Sequence, residues 1–193
     1  VSNQAGRSNL LSRLESIGMI IPSDDKRINS LLEIVKEREF QGYSYDGAGA
    51  SFEILAKNIL DAVPTFFSVE NFEVTISGKK DEHSLSKAKI SLNVDNRIIN
   101  SVGEGNGPVN ALDNALRKDL GIYNEYIQDL VLLDYKVRIL DGGTEAITRV
   151  VIESSDSNNQ SWFTVGISTN IIEASFEALM DSINYKLLKS GIK

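Results

Sequence analysis

Apolar residues return every third or fourth position through the first sixty residues of the chain, and at every second position through most of the strands that follow. Leu10, Leu11, Leu14 and Ile17 predict an amphipathic helix closed by Gly18, and Ile28, Leu31, Leu32 and Val35 predict a second, with Ser23-Asp24 as its cap. Beyond the polar loop 41–47, a third helical pattern runs through Ala50, Phe52, Leu55, Ala56 and Ile59. It stops before Pro64, because proline disfavours helical backbone in the residue before it. The pattern changes near Thr65, so residues 1–65 read as a helical subdomain and 66–193 as a second domain.

In that second domain Phe72, Val74 and Ile76 alternate with polar residues, the polar loop 78–84 follows, and Ala88, Ile90, Leu92 and Val94 alternate in turn. This predicts a hairpin. Ile98 to Val102 either extends or follows its second strand, and Val109, Leu112, Leu116 and Leu120 then mark a helix. The order repeats. Val131, Leu133, Tyr135, Val137 and Ile139 alternate, residues 141–144 form a turn, Ile147 to Ile152 and Trp162 to Ile167 supply two more strands, and a last helix starts around Thr169-Asn170. It carries Ile172, Phe176, Leu179, Ile183 and Leu187. The expected fold is α+β: a small helical subdomain, then two tandem β-β-(β)-α units in two layers, with the helices on one sheet face. Apolar residues on both faces of the second-half strands call for a cover on the other face, and a second copy of the chain in a twofold dimer supplies it most simply.

Composition narrows the function. A net charge of -7, from 20 Lys and Arg against 27 Asp and Glu, opposes binding to nucleic acid or to an anionic membrane, and Lys79-Lys80 is followed at once by Asp81-Glu82. No apolar run approaches the roughly 20 residues that span a bilayer. With no cysteine there is neither a disulfide framework nor a thiolate, which fits the cytoplasm. The first residues, Val1 to Arg7, lack an initiator Met and a secretion signal, and suggest a piece of a longer protein.

Catalytic chemistry finds little to use. His83 is the single histidine, in the charged loop Lys80 to Ser84, where a solvated side chain is the simpler reading. No Ser-His-Asp or Cys-His set can be assembled, histidine or thiolate metal sites are excluded, and Asp24-Asp25 reads as a helix cap. The richest stretch is Glu104 to Leu112, where a strand turns through Gly105, Asn106 and Gly107 into a helix with Pro108 near its first position. Such turns usually only reverse the chain, but a helix start also offers N–H groups and the positive end of its dipole to an anion. The spacing matches neither a dinucleotide fingerprint nor a phosphate loop. Together with the second helix start near Thr169-Asn170 and the nearby Val109, Ile139 and Ile171, it suits a small carboxylate with an apolar tail, an amino acid. Against that, Tyr135, Val137 and Ile139 can equally be core.

Several ordered segments carry a resemblance across the whole chain. They are residues 2–9 (Ser2 to Asn9), 42–53 (Gly42 to Glu53), the 104–112 turn with its extension to Lys118, 134–140 (Asp134 to Leu140), 143–146, 148–150 and 164–175 (Thr164 to Ser175). In these the chain resembles the region after the catalytic barrel in the citramalate synthase branch of the 2-isopropylmalate synthase family. The resemblance implies a linker over 1–65 and an allosteric, dimerising regulatory domain over 66–193. It implies a parent acyltransferase that condenses acetyl-CoA with a 2-oxo acid, pyruvate in the citramalate branch, using a divalent metal in a (β/α)₈ barrel. The barrel's metal-binding His-Xaa-His motif and catalytic acids are missing from this sequence, so no cofactor and no condensation are expected of it.

The resemblance further implies a homodimer binding end-product isoleucine or leucine at its interface, with the barrel of the same parent chain as the regulated partner. The implied lining is Val109, Leu132, Tyr135, Ile139, Thr144, Thr148, Thr169 and Ile171. Tyr135 and Ile139 share strand parity, whereas Leu132 joins their wall only if the strand starts later or bulges. Isoleucine feedback is the leading expectation. A leucine-regulated isopropylmalate synthase domain and a purely structural dimerisation module are the competing ones.

Overall fold

The computed structural model describes residues 3–60, 63, 65–78, 80, 83–140, 143 and 146–192. Three helices open it, α1 (Asn3–Ser16), α2 (Arg27–Gln41) and α3 (Gly49–Leu60). The helical periodicity of α2 is realised as a buried stripe of Ile28, Leu31, Leu32 and Val35, and the helix ends on Gly42, whose φ of 111° suits glycine. The acid that serves its start is Asp25 rather than the Ser23-Asp24 pair: a carboxylate oxygen of Asp25 accepts the backbone N–H of Arg27 at 2.9 Å. Leu10, Leu14, Ile28, Leu31, Tyr45, Phe52 and Leu60 pack into one apolar core among these helices.

Two three-stranded antiparallel sheets follow, each a simple meander and each ending in a helix. The first unit is β1 (Phe67–Ser77), β2 (Leu85–Val94), β3 (Arg97–Gly105) and α4 (Pro108–Lys118). After a short helix α5 (Asn124–Ile127) comes the second, β4 (Val131–Ile139), β5 (Thr148–Ser155), β6 (Ser161–Ser168) and α6 (Ile171–Lys189). The segment 98–102 is therefore a strand of its own. It is separated from β2 by a two-residue turn at Asp95-Asn96, whose φ values of 50° and 60° belong to the primed hairpin turn.

The two units repeat each other at a fixed interval of 63 residues. A Cβ added to Gly103 would lie 2.4 Å from the Ala111 carbonyl oxygen, and one added to Gly166 would lie 1.9 Å from that of Ala174. The Ser101 hydroxyl donates to the Ala115 carbonyl at 2.7 Å, as the Thr164 hydroxyl does to Ala178 at 2.8 Å. Even the irregularities correspond, since β1 bulges at Glu70 and β4 at Leu133. Each helix thus lies on the last strand of its own unit at backbone contact, which only glycine in the strand permits.

A second core joins the units, with Ile90, Leu92, Leu112, Leu116, Val150, Ile152, Leu179 and Ile183 at its centre. On the far face of the second sheet Val165 is fully buried, but in the core of α1 to α3. Part of the cover expected from a second chain is therefore supplied by the chain's own opening helices. The free edge of β6 is closed by α3 and α6 together: the Val165 N–H donates to the Ser51 hydroxyl of α3 at 3.0 Å and the Ile167 N–H to Glu177 of α6 at 2.9 Å. On the helix-bearing face of the same sheet, Val137 and Ile139 of β4, opposite Val150 and Thr148, stay exposed at 41% and 66%, as does Leu133 at the bulge at 55%.

Candidate functional site

The bulge at Leu133 decides the geometry of the candidate site. By inserting one unpaired residue it sets Leu132 opposite Ser154 and Tyr135 opposite Ile152, so both side chains rise from the same sheet face. Across from them lies α4, from Val109 to Arg117. Between helix and strand runs a groove of about 480 Å³ lined by Val109, Asn110, Asp113, Arg117, Leu130, Val131, Leu132 and Tyr135. It lies between the units, with the helix from one and the strand from the other.

The groove brings apolar and charged groups together. Val109, Leu132 and Tyr135 are half-buried and pack against the main core. Further along α4 from Val109, and across from Leu132 and Tyr135, Asp113 and Arg117, one helical turn apart, make a two-pronged ion pair with N···O distances of 2.8 and 2.7 Å. Arg117 also donates to the carbonyl of Leu130, which ties α4 to the start of β4. Burial pushes the Asp113 carboxyl above its ordinary range against the pull of Arg117. The Tyr135 hydroxyl lies 2.8 Å from that of Ser175, which donates to the carbonyl of Ile171 at 2.6 Å, so the groove is wired to the first turn of α6.

Three of the expected lining residues, Val109, Leu132 and Tyr135, therefore meet in one groove. Ile139 and Thr148 face each other across β4 and β5, with Ile139 four residues further along the strand and largely exposed. Thr169 and Ile171 are exposed at the start of α6, and Ile171 reaches Tyr135 only through its carbonyl and Ser175. Thr144 lies outside the described residues. Asp113, Arg117, Asn110 and Leu130 complete the groove without having been singled out in the sequence. The spacing of Asp113 and Arg117 reads as an ordinary helical ion pair, and only the neighbouring strand makes it part of a site.

The glycine turn supports the groove from below. A Cβ on Gly105 would come within 2.3 Å of the Asn110 side chain, while Gly107 caps α4 in extended backbone, with φ of -156°, and meets nothing. Pro108 is the first helical residue and no side chain caps that end, whereas at α6 the Asn170 side chain accepts the Ile172 N–H at 2.9 Å. The two helix starts expected to act alike are thus unequal, and the one of α4, beside exposed Asn106, keeps its donors clear of a cap.

Two other recesses have different character. One of about 140 Å³ lies between α3 and α6 beside Asp181 and Lys57, and one of about 450 Å³ lies among α1, α2 and α3, where Arg13 stacks 4.0 Å from the centre of the Phe52 ring. The second also sets an acid and a base, Asp46 and Arg13 at 3.3 Å, beside Leu10, Leu32, Val35 and Phe52, but it lies among the opening helices and brings together none of the residues expected to line a site. Among the described residues no three His, Asp or Glu side chains are grouped to hold a metal, and no helix is long and apolar enough to cross a membrane.

Comparison with known proteins gives this geometry a family. Residues 47–187 match the model of the LeuA allosteric (dimerisation) domain. The chain is 46% identical over 193 residues to an (R)-citramalate synthase of Geobacter sulfurreducens, covering 98% of this chain and 36% of that protein. It is 42% identical to an (R)-citramalate synthase of Aquifex aeolicus, with the same coverage, and 32% identical over 130 residues to a 2-isopropylmalate synthase of Ruminiclostridium cellulolyticum. The chain thus spans little more than a third of the length of the citramalate synthases it matches. By the match over 47–187 and the similarity along nearly its whole length, the chain belongs to the LeuA allosteric (dimerisation) domain family of the citramalate and 2-isopropylmalate synthases.

Proposed function

We propose that this chain is the regulatory part of a citramalate synthase-like acyltransferase, and that the α4–β4 groove takes the end-product amino acid isoleucine. The observation that carries the reading is the meeting of charged and apolar groups in one groove: Asp113, Arg117 and Val109 along α4, facing Leu132 and Tyr135 on β4. An α-amino acid enters with its ammonium on Asp113, its carboxylate toward Arg117 and its branched tail on Leu132 and Tyr135. Leucine in an isopropylmalate synthase is the second reading, supported by the isopropylmalate synthase relative.

In this reading the parent condenses acetyl-CoA with pyruvate in a barrel outside this chain, and that barrel holds the divalent metal. The present residues bind and couple; they do not catalyse. Two copies pair through the exposed length of β4, covering Val137 and Ile139, and the assembly works in the cytoplasm, where a chain without cysteine loses nothing. Feedback follows by linkage, because an effector lowers activity only by its preference for one of two states, typically about 1–3 kcal/mol of coupling.

Calorimetry and thermal shift with isoleucine, leucine and valine at millimolar concentration test the reading. Binding of one of them, at a hundredfold excess over Kd, stabilises the fold by about 2.7 kcal/mol. Tyr135→Ala is expected to lose that response while the dimer persists. No response to any of the three would remove the effector site and leave a module that only dimerises. Assay of the parent with pyruvate against 2-oxoisovalerate separates the two synthases.

A further inference from the structure

The 63-residue repeat means that the α4–β4 groove must have a counterpart, between α6 and β1. Its walls correspond one to one: Ile172 stands for Val109 and Val69 for Leu132. Most of the remaining positions have changed their chemistry. Asp113 becomes Phe176, Arg117 becomes Met180, Tyr135 becomes Phe72, Val131 becomes Ser68 and Asn110 becomes Glu173, whose carboxylate accepts the Ser168 hydroxyl at 2.8 Å, while Leu130 stays apolar as Phe67. Phe72 and Phe176 meet, with ring centres 4.6 Å apart and planes inclined by 30°, and Phe176 is buried at 8% exposure.

We propose that the α6–β1 cleft is a closed copy of the ligand groove, in which the stacked Phe72–Phe176 pair occupies the position that a ligand takes in the α4–β4 groove. The inference rests on reading the α4–β4 groove as a ligand site. The chemistry fits the closure: the guanidinium is gone and the acid at Glu173 is engaged by Ser168, so no acid–base pair is left for a zwitterion, and a stacked aromatic pair fills the space between helix and strand instead. Each chain then has one cleft that responds to a ligand and one that is permanently filled, so the filled cleft is the fixed half of the pair. The ligand class of the filled cleft, once opened, is a small uncharged aromatic molecule.

Two variants open it. Phe176→Ala is expected to melt below the wild type and to regain several degrees in saturating benzene, whereas the wild type shows no comparable benzene shift. Phe72→Ala, at the more exposed ring, serves the same purpose should the first variant fail to fold. A benzene shift in neither folded variant beyond that of the wild type would overturn the proposal, as would calorimetry showing two isoleucines per wild-type chain. Asp113→Phe with Arg117→Met, which copies the plug into the α4–β4 groove without leaving the guanidinium unpaired, is expected to abolish isoleucine binding in a protein that still folds and melts cooperatively. If the wild type binds no amino acid at all, the effector reading fails while the benzene result still decides whether the α6–β1 cleft is a plugged cavity.

Discussion

The phenol of Tyr43 donates to the carboxylate of Glu177 at 2.5 Å, across 134 positions of sequence. Glu177 opens a stripe on α6 at four-residue intervals, each member engaged with the opening helices or the loop between them: Ser51 donates to Asp181 at 2.6 Å, Tyr185 to Glu53 at 3.2 Å and Lys189 to Glu53 at 2.7 Å. The face of α6 toward its sheet is apolar, and this one is polar. Such a joint is specific in register and weaker than a core, in the manner of interfaces between domains that move. Tyr43→Phe is expected to cost about 1 kcal/mol, and Glu177→Ala more, because it leaves both the phenol and the Ile167 N–H without an acceptor. Urea unfolding measures both.

Asp181 gives this joint a pH dependence. Burial pushes its carboxyl up to about 7, offset by the Ser51 hydrogen bond, with Glu177 adding to the rise and Arg38 opposing it. A carboxyl raised above its unfolded value of about 3.9 contributes stability that is fully present below that value and is lost as pH climbs through the folded one. The melting temperature is therefore expected to carry a falling component between pH 4 and 7 that Asp181→Asn removes. Thermal melts of the two proteins across that range, in one buffer series, check it. Asp129, held down to about 2 chiefly by the Ser157 hydroxyl, has the opposite sign, and its contribution disappears only as pH falls toward 2.

The close contacts at Gly103 and Gly166 predict an unusually severe response to one methyl group. The clash in each case is with helix backbone, which no rotamer change relieves. Gly166→Ala is expected to cost at least about 3 kcal/mol, at the upper end of overpacking effects, and Gly103→Ala slightly less. Gly107→Ala, whose Cβ meets open space, is the control and is expected to stay within about 1 kcal/mol of wild type. Chemical denaturation ranks the three.

Lys186 is buried with its ammonium 2.9 Å from Asp156 and 3.0 Å from Asp129, which pins α6 to the β5–β6 turn and to the chain before β4. Lys186→Met strands two carboxylates and is expected to cost about 2–3 kcal/mol, below the value for a fully buried pair because Asp129 is partly in solvent. Adding Asp156→Asn to Lys186→Met is expected to recover part of that loss, and a double-mutant cycle on melting temperature reads the coupling.

Much of this fold was legible in the sequence because its strands alternate and its helices keep their stripes. What was missed has physical reasons. Alternation alone leaves open whether 98–102 extends β2 or follows it, although two adjacent residues tolerant of positive φ, Asp95-Asn96, are a hairpin signal. The parity of Leu132 could not be fixed, because a bulge leaves no mark in alternation until its partner strand is seen. The groove was half legible: its apolar residues came from the resemblance, while Asp113 and Arg117 gain their meaning from a strand fourteen and more residues away. The repeat was legible as an order of elements, but its interval was overlooked, though Gly103, Ala111 and Ala115 reappear as Gly166, Ala174 and Ala178.

Those reappearing residues bear on how two halves of one chain come to differ. Where strand and helix touch through their backbones, glycine and alanine are the residues that fit, and both halves hold the same ones. Where side chains face a cleft the backbone asks for nothing in particular, and there an aspartate stands in one half and a phenylalanine in the other. The small residues at the helix–strand contacts therefore act as a common chassis, and the clefts beside them are free to be refitted, one half at a time, without realigning a helix.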